Sequence, residues 1–191
     1  MKIDLDQLMR QNEIDAILVT GPAQHNPAMT YLTGGGHITN ADLIKKVGEP
    51  AVLFHGMMER DEAAKTGLQT RSYGLYPMGD LLKEANGDAF LAGVLRYQRM
   101  LQDVGLTRGR VALFGQVELG KGFSTFQALQ QRLPNLSFDG HLRDDIFLQA
   151  MATKEDSEIE RIRRMGKITV EVVGRTADFL SKSAMRGDVL L

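Results

Sequence analysis

Short apolar runs recur along the first 140 residues, and each is bounded by turn residues such as the Gly21-Pro22 pair. Continuous apolar runs of this length are typical of β-strands that are covered on both faces. The strands predicted from these runs are "DAILVT" (15–20), "AVLFH" (51–55) and "RVALFG" (110–115). Further short strands are expected at "QTRSY" (69–73) and "LSFDG" (136–140).

Between these runs the apolar residues follow helical spacing, which predicts helices over 4–12, 57–66, 89–104 and 122–133. Asp4 is placed to cap the first helix, while Gly67 and Pro134 mark the ends of the second and the last. Strands that alternate with helices predict an α/β fold with a mixed, mostly parallel sheet covered by helices. We expect residues 1–150 to form this domain.

The last segment has a different pattern. From Lys154 to about Lys182 there is no proline, and apolar residues such as Ile159, Ile162 and Val173 recur at helical spacing. This predicts one long amphipathic helix with Asp156 or Ser157 as its N-cap. An apolar stripe of this length needs a surface to cover it. We therefore expect residues 151–191 to open a second domain that is cut short.

Composition narrows the classes of partner. The formal net charge is −1, so we expect no nucleic-acid partner and no attraction to an anionic membrane. The absence of cysteine excludes a disulfide framework and a thiol nucleophile. Acidic residues interrupt the apolar positions of the first twenty residues, which a signal peptide does not tolerate, and no apolar run has membrane-spanning length. We expect a soluble, cytoplasmic protein.

The stretch "GQVELGKG" (115–122) has the glycine and lysine spacing of a phosphate-binding P-loop. Gly122 stands where the magnesium-binding Ser or Thr is required, and Glu118 places a carboxylate where phosphate charge must be held. We therefore interpret this segment as a strand, a glycine turn and a helix.

Two segments resemble a known family. "IDAILVTGPAQHNPAMTYLTGG" (14–35) resembles the strand, loop and "YLTG" signature of the creatinase N-terminal domain. "MATKEDSEIERIRRMGKITVEVVGRTADFL" (151–180) resembles the junction helix that opens the pita-bread catalytic domain. The order "RVALFG", then "FSTFQALQQRLPN", then the junction is also similar. The resemblance indicates the creatinase, prolidase and aminopeptidase P family of metallopeptidases, whose N-terminal domain has a ribonuclease H-like motif.

The resemblance implies a function for a longer parent protein. Relatives hold two divalent ions, often manganese, cobalt or zinc, on two Asp, one His and two Glu of the catalytic domain, and they cleave peptides before proline. Residues 1–191 would then be a catalytically inactive part that supports assembly as a homodimer and shapes the active site. No metal or other cofactor is expected within it.

Four histidines, His25, His37, His55 and His141, lack metal-ligand spacing, so solvated or capping roles are favoured for His55 and His141. The adjacent Asp144 and Asp145 are interpreted as a solvated helix cap rather than an acid–base pair.

His37 follows three glycines in "YLTGGGH", and in dimeric relatives the corresponding loop reaches toward the partner subunit's active site. The resemblance therefore implies that Gly36 and His37, with His25 and Asn26, lie near the peptide substrate. The competing interpretation is a surface turn without such a role.

Two further functions stay open at this point. The same N-terminal domain precedes creatinase-like amidinohydrolases and inactive relatives that bind or scaffold. A free-standing α/β domain that binds a small molecule is the other alternative. It predicts that the last helix packs on its own sheet.

Overall fold

The computed structural model describes residues 3–35, 37–141, 145–186 and 189–190. The chain divides into two compact units, Met1–Met151 and Ala152–Leu191. Unit 1 contains the α/β fold and unit 2 contains one long helix and a two-stranded ribbon. That unit 2 opens a catalytic domain stays a prediction.

In unit 1 the strands alternate with helices for most of its length. The strands are β1 Ala16–Gly21, β2 Ala41–Lys46, β3 Val52–His55, β4 Gln69–Ser72, β5 Gly109–Gly115 and β6 Leu136–Gly140. The helices are α1 Ile3–Gln11, α2 Pro27–Thr33, α3 Arg60–Lys65, α4 Met78–Glu84, α5 Ala89–Asp103, α6 Leu119–Arg132 and α7 Asp145–Ala152. Short 3₁₀ helices cover Met57–Glu59 and Tyr73–Leu75.

The six strands form one mixed sheet in the order β4-β3-β2-β1-β5-β6. The pairs β1 with β5, β5 with β6 and β3 with β4 are parallel, and β2 runs antiparallel to both of its neighbours. Thr20 faces Asp42 across the β1–β2 ladder, and Gly115 faces Thr20 across the β1–β5 ladder. The predicted fold class, a mixed and mostly parallel sheet covered by helices, is confirmed.

Helices cover both faces of this sheet. One buried cluster joins α1, α2, α3 and α7 to the face that carries Ile17, Leu43 and Phe114. A second buried cluster joins α4 and α5 to the face that carries Leu18, Ile44 and Val111, with Phe126 of α6 and its C-cap residue Leu133 packed against it. Apolar side chains on both faces explain why β1, β3 and β5 contain continuous apolar runs.

The β2 strand was not predicted, because "ADLIKK" places Asp42 and Lys45 inside a central strand. Both side chains are nevertheless buried. The Lys45 ammonium forms an ion pair with Asp6 of α1 and donates a hydrogen bond to the Lys46 carbonyl (2.7 Å). Asp42 is paired with two tyrosines on the opposite face. A buried charge is tolerated where partners of this kind compensate its lost hydration.

Several predicted helix starts need correction. Asp4 lies inside the first turn of α1, which begins at Ile3, so it is not the N-cap. Helix 57–66 is a 3₁₀ turn followed by the shorter α3, and α2 and α4 were not predicted. The α2 start was nevertheless readable, because an N-cap Asn followed by Pro at the first helical position is a helix-start signal.

Unit 2 begins with the helix α8 (Asp156–Lys182), followed by β7 (Met185–Arg186) and β8 (Val189–Leu190). The long helix is confirmed, but its N-cap is Glu155, in a capping box with Glu158, rather than Asp156 or Ser157. No residue of α8 is buried, and Val170 and Phe179 are among its exposed apolar side chains. In the described part of the chain, no helix has the length and apolar character to cross a bilayer.

Candidate functional site

The loop after β1 carries the first two predicted site residues. Asn26 is buried and caps α2: its Oδ1 accepts from the Met29 amide (3.2 Å) and its Nδ2 donates to the Thr20 carbonyl (3.0 Å). This side chain therefore fixes the loop against the sheet. His25 is exposed, with φ at +58°, and its carbonyl accepts a hydrogen bond from Gln116. Its ring is available to a ligand or a partner.

His37 is also exposed, and it follows the C-terminal end of α2. The Ala23 amide donates to the Ile38 carbonyl (2.9 Å) and joins the segment before α2 to the segment after it, which we call the two loop arms. His25 and His37 each lie within two residues of this hydrogen bond, one on each arm. Glu59 of the 3₁₀ turn accepts from both the amide and the hydroxyl of Thr39 (2.5 Å each), which anchors the second arm. Gly36, the fourth predicted residue, lies outside the described residues.

The remaining histidines differ from expectation. His55 ends β3 as predicted but is buried rather than solvated, and its Nδ1 donates to the Gly56 carbonyl (2.7 Å). His141 is partly buried and stacks on Phe114, with ring centroids 5.2 Å apart. It precedes α7 rather than starting it. Asp145 is the first residue of α7, while Asp144 lies outside the described residues.

The P-loop alternative is excluded by the start of α6. The Glu118 carboxylate accepts hydrogen bonds from the amides of Gly120 (2.9 Å) and Lys121 (2.7 Å). These are the amides that would have to bind phosphate, so the anion position is already filled by the protein. The same two hydrogen bonds, from Lys121 first and Gly120 second, hold the pKa of Glu118 below its ordinary value.

Two glycines allow the ends of β1 and β5 to meet. Gly115 has φ at +111°, and a Cβ atom there would lie 2.0 Å from the Thr20 carbonyl oxygen. Gly21 has φ at +107°, and its Cβ would lie 2.3 Å from the Gln116 carbonyl oxygen. Only glycine fits such backbone conformations at this separation. The Gln116 amide donates to the Thr20 carbonyl (2.9 Å) and closes this junction.

A crevice opens beside this junction, at the carboxyl ends of β1, β5 and β6. From β1 the chain continues to β2 on one side, and from β5 it continues through α6 to β6 on the other. The order of the strands therefore reverses between β1 and β5. In open α/β sheets, ligands bind at the carboxyl ends of the strands where the order reverses. The crevice has a volume of about 810 Å³. Its lining includes Thr20, Phe114, Val117, Leu119, Phe123, Phe126, Gln127, Gln131, Phe138 and His141.

A buried polar cluster lies beneath the crevice. Asp42 accepts hydrogen bonds from the hydroxyls of Tyr73 and Tyr97 (2.7 Å each), and Thr20 contacts the Tyr97 hydroxyl (3.2 Å). The Arg96 guanidinium lies 4.7 Å from the centroid of the Tyr73 ring. Burial, with the nearby Asp42 charge, raises the pKa of both tyrosines above the ordinary value. They stay neutral at physiological pH and donate to the Asp42 carboxylate, which compensates the burial of this residue.

The family resemblance implies divalent metal ions, which need a group of His, Cys, Asp or Glu side chains as ligands. Within the described residues, no three His, Cys, Asp or Glu side chains are grouped so that they could hold a metal ion. This part of the chain therefore does not fit a dinuclear centre.

Comparison with known proteins shows the fold. No protein-family model and no curated protein sequence matches the chain. Among solved structures, a dipeptidase from Pyrococcus horikoshii is similar at 12% identity, over 91% of this chain and 44% of that one, with a TM-score of 0.55. An X-Pro aminopeptidase from Thermotoga maritima is similar at 19% identity, over 84% and 38%, with a TM-score of 0.52.

A dipeptidase from Mycobacterium ulcerans is similar at 15% identity, over 93% of this chain and 42% of that one, with a TM-score of 0.52. This chain has the fold of the matched part of these structures. It spans less than half the length of each of the three structures. The resemblance inferred from the "YLTG" and junction segments is thus confirmed at the level of the fold.

Proposed function

We propose that this chain is the N-terminal, non-catalytic part of a metal-dependent Xaa-Pro peptidase. The observation that carries the proposal is the shared fold: 84% of this chain matches 38% of the X-Pro aminopeptidase from Thermotoga maritima. In this proposal, the two divalent ions and the residues that hold them belong to the remainder of the protein. No catalytic step is assigned to the described residues.

The loop arms that carry His25 and His37 are proposed to line the substrate entrance across a homodimer interface. Both histidines are exposed on arms joined by one hydrogen bond, and an imidazole can donate to or accept from a peptide. Asn26 serves this site as a positioning residue, because its side chain is used in capping α2 and binding the Thr20 carbonyl.

The proposal is tested by comparing the 191-residue chain with the polypeptide that its whole reading frame encodes. Both are assayed for cleavage of Xaa-Pro peptides with manganese, cobalt or zinc. We expect cleavage by the longer polypeptide alone, and loss of cleavage when a chelator removes the metal. Cleavage by the 191-residue chain, or a reading frame without the two Asp, one His and two Glu, would contradict the proposal. The second result would favour a binding or scaffold role.

The loop assignment has its own test in the longer polypeptide. His37→Ala should lower kcat/KM for some peptides more than for others, whereas Lys83→Ala on the exposed surface of α4 should change none of them. An unchanged kcat/KM in His37→Ala for peptides of several lengths would refute the role of this loop in substrate binding.

A further inference from the structure

We propose that the crevice between β5, β6 and α6 binds an uncharged, planar aromatic small molecule. This goes beyond the peptidase proposal, because the site lies wholly within unit 1 and uses none of the predicted substrate residues. Its volume of about 810 Å³ falls in the range of roughly 300–1,000 Å³ that is typical of small-molecule sites. Its position at the reversal of strand order is where α/β sheets bind ligands.

The crevice leaves large apolar side chains in water. Leu119 is 84% exposed, Phe123 is 68% exposed and Val117 is 46% exposed. Leu119 and Phe123 stand one helical turn apart at the start of α6, on the side that faces the crevice. A ligand that covers these side chains removes apolar surface from water, which is the main favourable contribution in apolar sites.

Aromatic rings make up much of the wall. The rings of Phe114 and His141 are stacked, with an interplanar angle of 22°. The rings of Phe126 and Phe138 lie 6.0 Å apart at the side of the same crevice. Aromatic side chains favour offset-stacked or edge-to-face contacts with further rings. This wall therefore selects a flat aromatic ligand over a branched aliphatic one.

The charge of the ligand follows from the lining, in which the described residues include no Asp, Glu, Lys or Arg. A charged group entering the crevice would lose hydration without gaining a carboxylate, ammonium or guanidinium partner among the described lining residues. The polar side chains in the described lining are those of Thr20, Gln127, Gln130, Gln131 and His141, and the amides of Gln127 and Gln131 lie on exposed positions of α6. Each amide can donate and accept one or more hydrogen bonds, which suits the edge of a neutral ring system.

The test uses two probes with the same rings but different charge. N-phenyl-1-naphthylamine is neutral, and 1-anilinonaphthalene-8-sulfonate adds one sulfonate to that structure. Both become fluorescent in apolar surroundings, and the protein has no tryptophan to interfere. With the 191-residue chain, we expect saturable binding of the neutral probe and binding of the sulfonate at least about tenfold weaker, which corresponds to 1.4 kcal/mol. Equal affinities would overturn the assignment of an uncharged ligand.

Matched variants locate the site. Phe123→Ala should weaken binding of the neutral probe at least about fivefold, the size of one aromatic contact. Phe90→Ala, at an exposed phenylalanine of α5 outside the crevice, should leave it unchanged. Both positions are exposed, so neither variant should lose the fold, and circular dichroism checks this.

Two results would overturn the proposal. If Phe179→Ser in α8 abolishes the fluorescence while Phe123→Ala does not, the probe binds the exposed face of α8 instead. If sedimentation shows self-association that Phe123→Ala abolishes, and probe affinity falls as protein concentration rises, the crevice is covered by a second copy of the chain. Loss of either proposal leaves the other intact, because the probe assay needs neither metal nor peptide cleavage.

Discussion

The ion pair between Lys45 and Asp6 allows a direct test of how β2 tolerates a buried charge. The Lys45 side chain is fully buried, while that of Asp6 is 22% exposed. Asp6 also accepts from the Gly48 amide (2.9 Å), so its carboxylate connects α1 to both β2 and the turn that follows it. Asp6→Asn keeps the shape of the side chain and one oxygen acceptor, while it removes the charge and replaces the second oxygen with an NH2 group.

The expected cost follows from the burial of each partner. Removing one member of a fully buried ion pair costs about 3–5 kcal/mol, because the other charge is left without compensation. Water reaches Asp6 at the edge of the pair, which reduces the loss. We therefore expect Asp6→Asn to lower the free energy of unfolding of unit 1 by about 2–3 kcal/mol at pH 7. Lys45→Met in the same chain should restore most of this loss, because no unpaired charge then remains.

Urea unfolding followed by tyrosine fluorescence measures this change. The four tyrosines, Tyr31, Tyr73, Tyr76 and Tyr97, all lie in unit 1, so the signal does not include unit 2. Asp61→Asn is the control, since Asp61 lies in the first turn of α3 with its side chain 85% exposed. A loss of less than about 0.5 kcal/mol for Asp6→Asn, the range of ordinary surface substitutions, would refute the reasoning. A double variant no more stable than Asp6→Asn would refute it equally.

The pH dependence of the same pair has a definite sign. Burial opposes the charged form of Asp6, but hydrogen bonds from Lys45 and Gly48 outweigh it, so the pKa of Asp6 lies below its ordinary value. A lowered carboxyl pKa stabilises the fold above the unfolded pKa of about 3.9, and this stabilisation is lost as the pH falls through the folded pKa. The difference in stability between wild type and Asp6→Asn should therefore shrink below about pH 4.

Three further predictions use urea unfolding, followed by circular dichroism wherever a tyrosine is replaced or ionised. Tyr73→Phe and Tyr97→Phe each take one donor from the buried Asp42 carboxylate and should lower the free energy of unfolding by about 1–3 kcal/mol. Because the pKa values of both tyrosines are raised in the folded state, they stabilise the fold below about pH 10. The stability of the wild type should therefore fall above that pH, and that of Tyr73→Phe should fall less. Gly115→Ala should cost more than about 3 kcal/mol because of its positive φ and the contact with Thr20, whereas Gly79→Ala in α4, with open space around it, should be neutral or stabilising. Glu118→Ala should cost about 1 kcal/mol through loss of the α6 cap, and an unchanged stability would show that the cap contributes nothing.

Of the six strands in the sheet of unit 1, the sequence predicted five and missed β2, whose apolar run is interrupted by Asp42 and Lys45. β1, β3 and β5 read as buried because apolar side chains occupy both faces. The β2 segment contains the charged residues Asp42 and Lys45, whose side chains point to opposite faces of the sheet, so neither face of the strand is purely apolar. The partners that make their burial tolerable, Asp6 on one face and Tyr97 on the other, are 39 and 55 residues away in sequence. Local pattern carries no information about such partners.

Local sequence pattern also did not predict the crevice beside α6. Apolar spacing predicted α6, but it did not separate the covered apolar side chains of this helix from the exposed ones, and Phe123 is 68% exposed. Phe126 does pack inward, against Tyr97 of α5 and Phe138 of β6, with ring centroids 6.1 and 6.0 Å away. A periodic pattern identifies a helix and its apolar side, but it does not say how much of that side a sheet can cover.

How much of α6 the sheet covers depends on the order of the strands, which is set by pairings between residues far apart in sequence. Since β5 pairs with β1 and only β6 lies beyond it, α6 has two strands on which to pack, and its first turn extends past their ends. Leu119 and Phe123 therefore extend over the carboxyl ends of the strands instead of over the sheet. Gly21 and Gly115 allow the two loops to meet below, and the space that remains is the crevice. Its apolar rim is thus a consequence of topology, and the neutral probe tests whether that rim also serves a ligand.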